Sequence, residues 1–181
     1  PLLSFGPPRS TGMAGTAEQF DVRLTSLWEP ARLADALQAQ MPRGATIVAA
    51  TRMPDRTPAL TAATRAATYA CAWPLESPPP QAAIAAVLQR DSIVVPRSTG
   101  AATRMVNLRP GIHAVWWQDA TLYLQLALAP ALHVRPQEVL AVMTGWPETV
   151  MRRIAITRTG LHEAPTAPCS SPELYGTRNP D

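Results

Sequence analysis

The chain has 181 residues, 46% of them hydrophobic, and 16 basic against 13 acidic side chains leave a net charge of +3. That suffices for one substantial core or two small ones sharing an interface, while no apolar run reaches the roughly 18 residues of a membrane span, no charged-then-apolar segment reads as a secretion signal, and the charge is too small to argue for nucleic acid by itself. Every basic residue is arginine, whose permanently charged planar fork suits carboxylate or phosphate, although the lack of lysine beside abundant alanine and proline reads first as the mark of a GC-rich genome.

The chain opens on Leu2-Leu3-Ser4-Phe5-Gly6-Pro7-Pro8, a strand and a turn that run through Gly12 and Gly15 into a second strand at residues 19–24. Phe20, Val22 and Leu24 alternate there with Asp21 and Arg23, which gives one buried face. Such an opening in mid-architecture predicts that earlier elements are missing. Glu29-Pro30 starts a helix in which Leu33, Leu37 and Met41 form one stripe, ending at Pro42-Arg43-Gly44. Residues 46–52 read as a strand, and the segment 53–64, with Pro54, Asp55 and Pro58, reads as a linker.

A new unit follows. Residues 67–73 form a strand, and Pro78-Pro79-Pro80 leads into a helix with Ala83, Ile84, Val87 and Leu88 on one side. A short strand at 92–95 is closed by Pro96, and runs at 103–108 and 112–117 are split by Arg109-Pro110-Gly111. Gln118-Asp119-Ala120 turns the chain into 121–128, where Leu122, Leu124, Leu126 and Leu128 must face the core while Tyr123 and Gln125 point the other way. Pro136 begins a helix with Val139, Leu140 and Met143 inward, stopping near Gly145-Trp146-Pro147, and 153–159 is the last strand. Residues 164–181, rich in Pro, Ser and Thr, read as a disordered tail.

The order from residue 67 predicts an α+β fold of the ferredoxin-like, split βαβ kind with an extra strand. Residues 1–53 fit the same plan if their opening strand and helix are missing, so the expected organisation is a duplicated pair of ferredoxin-like half-domains: 1–53, a linker at 54–66, and 67–163. Cys71 and Cys169 lie far apart with no CxxC partner or nearby histidine. That argues against a metal or iron–sulfur site and makes a reducing cytosol the simplest home.

Four segments together resemble one family: residues 1–8 with Gly12 and Gly15, the strand Phe20-Asp21-Val22-Arg23-Leu24, the run Val106-Asn107-Leu108-Arg109-Pro110, and Ile156-Thr157-Arg158-Thr159-Gly160-Leu161. The chain is similar over residues 1–163 to the radical SAM-associated domain of unknown function DUF2344. The resemblance implies a longer amino terminus, with a Ser-His-Leu-Asp-type motif, and a partner in cis or in trans. That partner, a radical SAM enzyme, would carry an iron–sulfur cluster, S-adenosylmethionine and, in the cobalamin type, cobalamin. The three-cysteine cluster motif is absent from this chain, so radical initiation falls to the partner. Asn107 stands where the family often has an acidic residue.

Gly6, Gly12 and Gly15 with Pro7 and Pro8 could offer backbone N–H groups to a phosphate, but their spacing matches neither a Walker loop nor GxGxxG, and a tight strand connection is the simpler reading. Arg9, Arg104, Arg109, Arg152, Arg153 and Arg158 could face an RNA backbone or simply guard strand edges. Trp116 and Trp117 point to opposite faces of their strand, and one of them could stack a base. His113, His133 and His162 lie on different elements without a Ser or Cys nucleophile beside them, and Asp21, Asp35, Glu138 and Glu148 make no acid/base pair.

The expectation is therefore a cytoplasmic, non-catalytic accessory domain that helps a radical SAM enzyme recognise RNA, with Phe5, Gly6, Pro7, Arg9, Gly12, Arg104, Arg109 and Arg158 as binding residues and no cofactor of its own. The alternatives are an RNA-processing endonuclease with the ferredoxin-like shape of CRISPR-processing enzymes, which would need a base such as His113 or His162, and a protein-interaction module that binds no nucleic acid.

Overall fold

The alternating leucines organise the molecule. Leu122, Leu124 and Leu126 are fully buried and Leu128 nearly so, on a strand that runs from Thr121 to Ala129. The computed structural model describes residues 2–73, 80–99 and 102–166; Pro78 and Pro79 and the tail from residue 167 onward lie outside the described residues. In chain order the elements are β1 (Leu2–Phe5), β2 (Ala14–Gly15), β3 (Phe20–Arg23), α1 (Pro30–Gln38), α2 (Leu60–Ala63), β4 (Ala66–Ala72), α3 (Gln81–Leu88), β5 (Val94–Thr99), β6 (Ala102–Asn107), β7 (Ile112–Gln118), β8 (Thr121–Ala129), β9 (Leu132–His133), α4 (Pro136–Thr144), α5 (Glu148–Met151) and β10 (Ile156–His162). The fold is mixed α+β, with strands dominating.

The main sheet runs β10-β4-β8-β7 with every neighbour antiparallel, β2 lies parallel on the outer edge of β10, and β9 folds back on the end of β8. Register places Cys71 opposite Leu122, Tyr69 opposite Leu124 and Ala67 opposite Leu126. These side chains join Val87 of α3 and Val139 and Leu140 of α4 in one buried cluster. Burial of each such leucine contributes about 1.5–3 kcal/mol. Trp73 extends the cluster, with Trp117 edge-on at 6.0 Å and Trp146 at 4.8 Å.

Local chemistry frames the elements. Pro136 occupies the first turn of α4, the Glu138 carboxylate accepts the Arg135 N–H at 3.1 Å, and Gly145 ends the helix at φ +64° with its N–H bonded to Ala141. Glu29 caps α1 by accepting from the Ala31 N–H at 2.8 Å and the Arg32 N–H at 3.2 Å, just ahead of Pro30. The β7–β8 hairpin turns through Asp119 and Ala120, both left-handed at φ 48° and 58°, a conformation that normally calls for Asn-Gly or Asp-Gly.

Several sequence expectations give way. Residues 46–52 form no strand: no strand among the described residues pairs with them, and strand-prone residues alone do not make a sheet. The segment is tied instead to α1, with the Gln38 side chain accepting from the Ile47 N–H at 2.7 Å and donating to the Ala45 carbonyl at 3.3 Å. The expected linker contains α2, whose Leu60 is buried. Pro96 does not close a strand: β5 continues through it to Thr99, paired only with β6 in a separate two-stranded ribbon, where a proline without an N–H is tolerated. The last strand starts at Ile156 because residues 150–154 turn tightly after α5, Arg153 bonding Val150 and Ile154 bonding Met151. Gln125, read as pointing away from the core, does so and is still buried.

Candidate functional site

The site is built on Arg158. Register puts it beside Tyr69 on the core face of the sheet, where a guanidinium must find partners for all its donors. It finds them in the amino-terminal segment: Nη2 donates to the Pro7 carbonyl at 2.7 Å, Nη1 to the Pro8 carbonyl at 3.3 Å and Nε to Glu18 Oε1 at 2.9 Å, and Nη2 also pairs with Glu18 Oε2. Arg158 is thereby 1% exposed and fastens residues 7–18 to β10. Arg9 closes the same loop, donating to the Met13 carbonyl at 2.7 Å and lying 3.4 Å from Glu18.

A second pair stands across from it. Arg97 of β5 grips Glu138 of α4 with both prongs of its fork, Nε to Oε1 at 2.9 Å and Nη2 to Oε2 at 2.5 Å, and donates from Nη2 to the His133 carbonyl at 2.9 Å. Between the two pairs opens a shallow groove of about 450 Å³, lined by Pro8, Arg9 and Ser10 on one side and by His133, Arg135, Gln137 and Glu138 on the other. Four guanidiniums meet two carboxylates here, with Glu18 shared between Arg158 and Arg9, so the groove is positive.

That field reaches the histidine in the wall. Burial, then the neighbouring Arg135 and Arg97, push the His133 pKa below its ordinary value against the pull of Glu138, so at neutral pH it is an uncharged hydrogen-bonding group. His162 is lowered by burial and stands 2.7 Å from the Thr68 hydroxyl, while His113 is lowered by burial on β7. Burial raises the Tyr69 hydroxyl, partly offset by Arg158, and pushes the Cys71 thiol up to about 12, which leaves it protonated and inert. Among the described residues no group of three His, Cys, Asp or Glu could hold a metal ion. Among the described residues no helix is long and apolar enough to cross a membrane.

Of the residues singled out from sequence, Pro7, Arg9 and Arg158 come together, Arg158 on the Pro7 carbonyl and both arginines on Glu18, and of these Arg9 lines the groove. Phe5 is exposed on β1, Gly6 closes the β1–β3 ribbon with its N–H on the Gln19 carbonyl at 3.0 Å, and Gly12 makes a turn at φ +83°. Arg104 lies exposed on β6, opposite Arg97. Arg109 is far from the groove in role: it donates to the carbonyls of Leu88 and Arg90 at 2.9 Å each and of Ile112 at 3.2 Å, capping the end of α3. Asn107 accepts the N–H groups of Ile93 and Arg109, work that an amide does without a charge. Sequence reasoning missed Glu18, Arg97 and Arg135; only the Arg135-to-Glu138 capping spacing could have drawn attention to that corner.

The family model described as an uncharacterized protein conserved in bacteria, DUF2344, matches residues 1–138. No curated protein and no solved structure matches the chain. The match takes in the opening segment with the Arg9 turn, all of β1 to β9 and the start of α4, and the fourth segment, carrying Arg158, lies beyond it. The chain belongs to the DUF2344 family.

Proposed function

We propose that this chain is a non-catalytic recognition domain that works beside a radical SAM enzyme and grips RNA through the groove between Arg9 and Arg135. The excess of two positive charges across an open groove carries this reading: Arg9 and Arg135 are both exposed, Arg9 sharing Glu18 with the buried Arg158, while Arg97 and Arg158 hold the walls in place. Phosphate oxygens match such forks. A neutral His133 adds a hydrogen bond without competing charge. The architecture agrees with a ferredoxin-like reading of the second half, since β4-α3-β7-β8-α4-β10 with strand order β10-β4-β8-β7 is the split βαβ plan, the β5–β6 ribbon being an insertion. We read β1, β3 and α1 as a partial copy of that plan. A cluster and S-adenosylmethionine would reside in the partner, because two cysteines cannot supply a three-cysteine motif.

Salt dependence of single-stranded RNA binding tests this. Affinity falls as salt rises, and Arg9→Ala or Arg135→Ala each lowers the log–log slope by about 1. Binding indifferent to salt would remove the RNA reading in favour of a protein-interaction module. His133 in the groove wall favours one second reading, an RNA-processing nuclease with that imidazole as general base; RNA cleaved by the native chain and left intact by His133→Ala would establish it over mere recognition.

A further inference from the structure

The sheet has a second face, turned away from the leucine core, whose side chains form a stepped surface. Along one row of paired residues from β7 to β10 stand Trp116, Tyr123, Ala70 and Thr157; along the next stand Ala114, Gln125, Thr68 and Gly160. Two large rings therefore rise at one side of a floor of small residues. The Trp116 and Tyr123 rings are stacked, 5.1 Å apart and 8° from parallel. The indole Nε1–H of Trp116 is buried and has no hydrogen-bond acceptor among the described residues, which is unfavourable unless something supplies one.

Gln125 is 1% exposed, and it is covered by the chain itself. Beyond β10 the backbone crosses this face so that Thr166 meets the Gln125 amide at two points: the Thr166 N–H donates to Oε1 at 3.1 Å, and Nε2 donates to the Thr166 hydroxyl at 2.7 Å. Thr166 thus presents a donor and an acceptor side by side, and residues 163–166 lie exposed. A glutamine amide pairs in the same two-point manner with the N6–H and N7 of adenine.

We propose that this face is an adenine site, with the ring on the Trp116–Tyr123 step and its edge on Gln125, and that residues 163–166 are a displaceable cover occupying the Gln125 contact. Aromatic stacking supplies affinity for any base; the two-point amide contact selects adenine. The cover lowers apparent affinity by the fraction of time it is closed. This rests on the RNA reading only for the source of the ring, which is either an adenosine in RNA or a free adenine nucleotide.

The test is a titration of the full-length ¹⁵N-labelled chain, following the Trp116 indole N–H signal assigned with Trp116→Phe. AMP moves that signal saturably and ribose 5-phosphate does not, while UMP binds at least tenfold more weakly. Thr166→Pro, which lacks the N–H that holds the cover, binds AMP several-fold tighter, and Gln125→Ala at an unchanged melting temperature loses at least tenfold. Oligoadenylate binding tighter than AMP assigns the ring to RNA, and AMP binding tighter than oligoadenylate assigns it to a free nucleotide; either sustains the site. An indole signal that ignores AMP in both the native chain and Thr166→Pro, or responds equally to ribose 5-phosphate, overturns the adenine site, and salt-dependent RNA binding alongside that result would leave the groove reading standing.

Discussion

Residues 66–162 and residues 2–59 hold themselves together by different means. In the first region Leu122, Leu124, Leu126, Leu140 and Val134 are fully buried between sheet and helices. In the second, only Pro7 and Met13 are buried, α1 buries none of its residues, and Leu2, Leu3, Phe5, Leu27, Trp28 and Val48 stand open. The elements of the second region exist because caps, prolines and a ribbon register make them locally, and they are fastened to the main sheet by the β2–β10 pairing, by Met13 in the core cluster and by a polar tie, Arg158 to Glu18, Pro7 and Pro8. The difference teaches that a guanidinium can share the anchoring with little help from a core, and that such an anchor leaves charge at the seam, where the groove opens.

Removing one side of the tie tests this most severely. Glu18→Ala leaves Arg158 buried without its counter-charge and should cost about 3–5 kcal/mol, read as a shift in the denaturant midpoint; a cost under about 1 kcal/mol would show that the anchor lies elsewhere. The contrast between regions predicts a second pair of numbers. Leu124→Ala should cost about 2–5 kcal/mol through transfer and cavity terms, whereas Phe5→Ala, at 67% exposure, should stay within about 0.5 kcal/mol. Equal costs would erase the distinction.

Acid sharpens the comparison further. His133 and His162 both have folded pKa values below the ordinary 6.5, so the unfolded chain takes up protons first as pH falls. Their contribution is whole above about pH 6.5 and is lost on the way down through the folded values. Both belong to the packed region, so thermal melts should decline below pH 6.5, and His133→Gln should flatten part of that decline. The smallest effect concerns the β7–β8 turn: Ala120→Gly relieves a left-handed alanine and should stabilise by about 0.5–1 kcal/mol.

What could be read from the sequence follows the same division. β4, β8 and α4 are legible because in them period and burial coincide: each leucine of β8 marks a core position, and Pro136 and Gly145 punctuate α4 where the pattern says. Residues 46–52 mislead because strand-prone residues there meet no partner strand. The Pro96 stop misleads because β5 sits in a ribbon where a missing N–H does no harm. At the site, Arg9 and Arg158 were visible as arginines, but their work was not: Arg158 and Glu18 are 140 residues apart and Arg97 and Glu138 are 41 apart, and no local rule pairs charges over such distances. Arg109 shows the converse, an arginine that looked available and is consumed by helix-end carbonyls.

The claim at the centre is that Arg9 and Arg135 meet the ligand while Arg158 and Arg109 hold the structure. Arginine Nε–H signals of the full chain, followed as single-stranded RNA is added, separate these roles in one experiment. The account predicts saturable shifts at Arg9 and Arg135 with Arg158 and Arg109 unmoved; shifts confined to Arg104 on the β5–β6 ribbon, or none at any arginine, would contradict it.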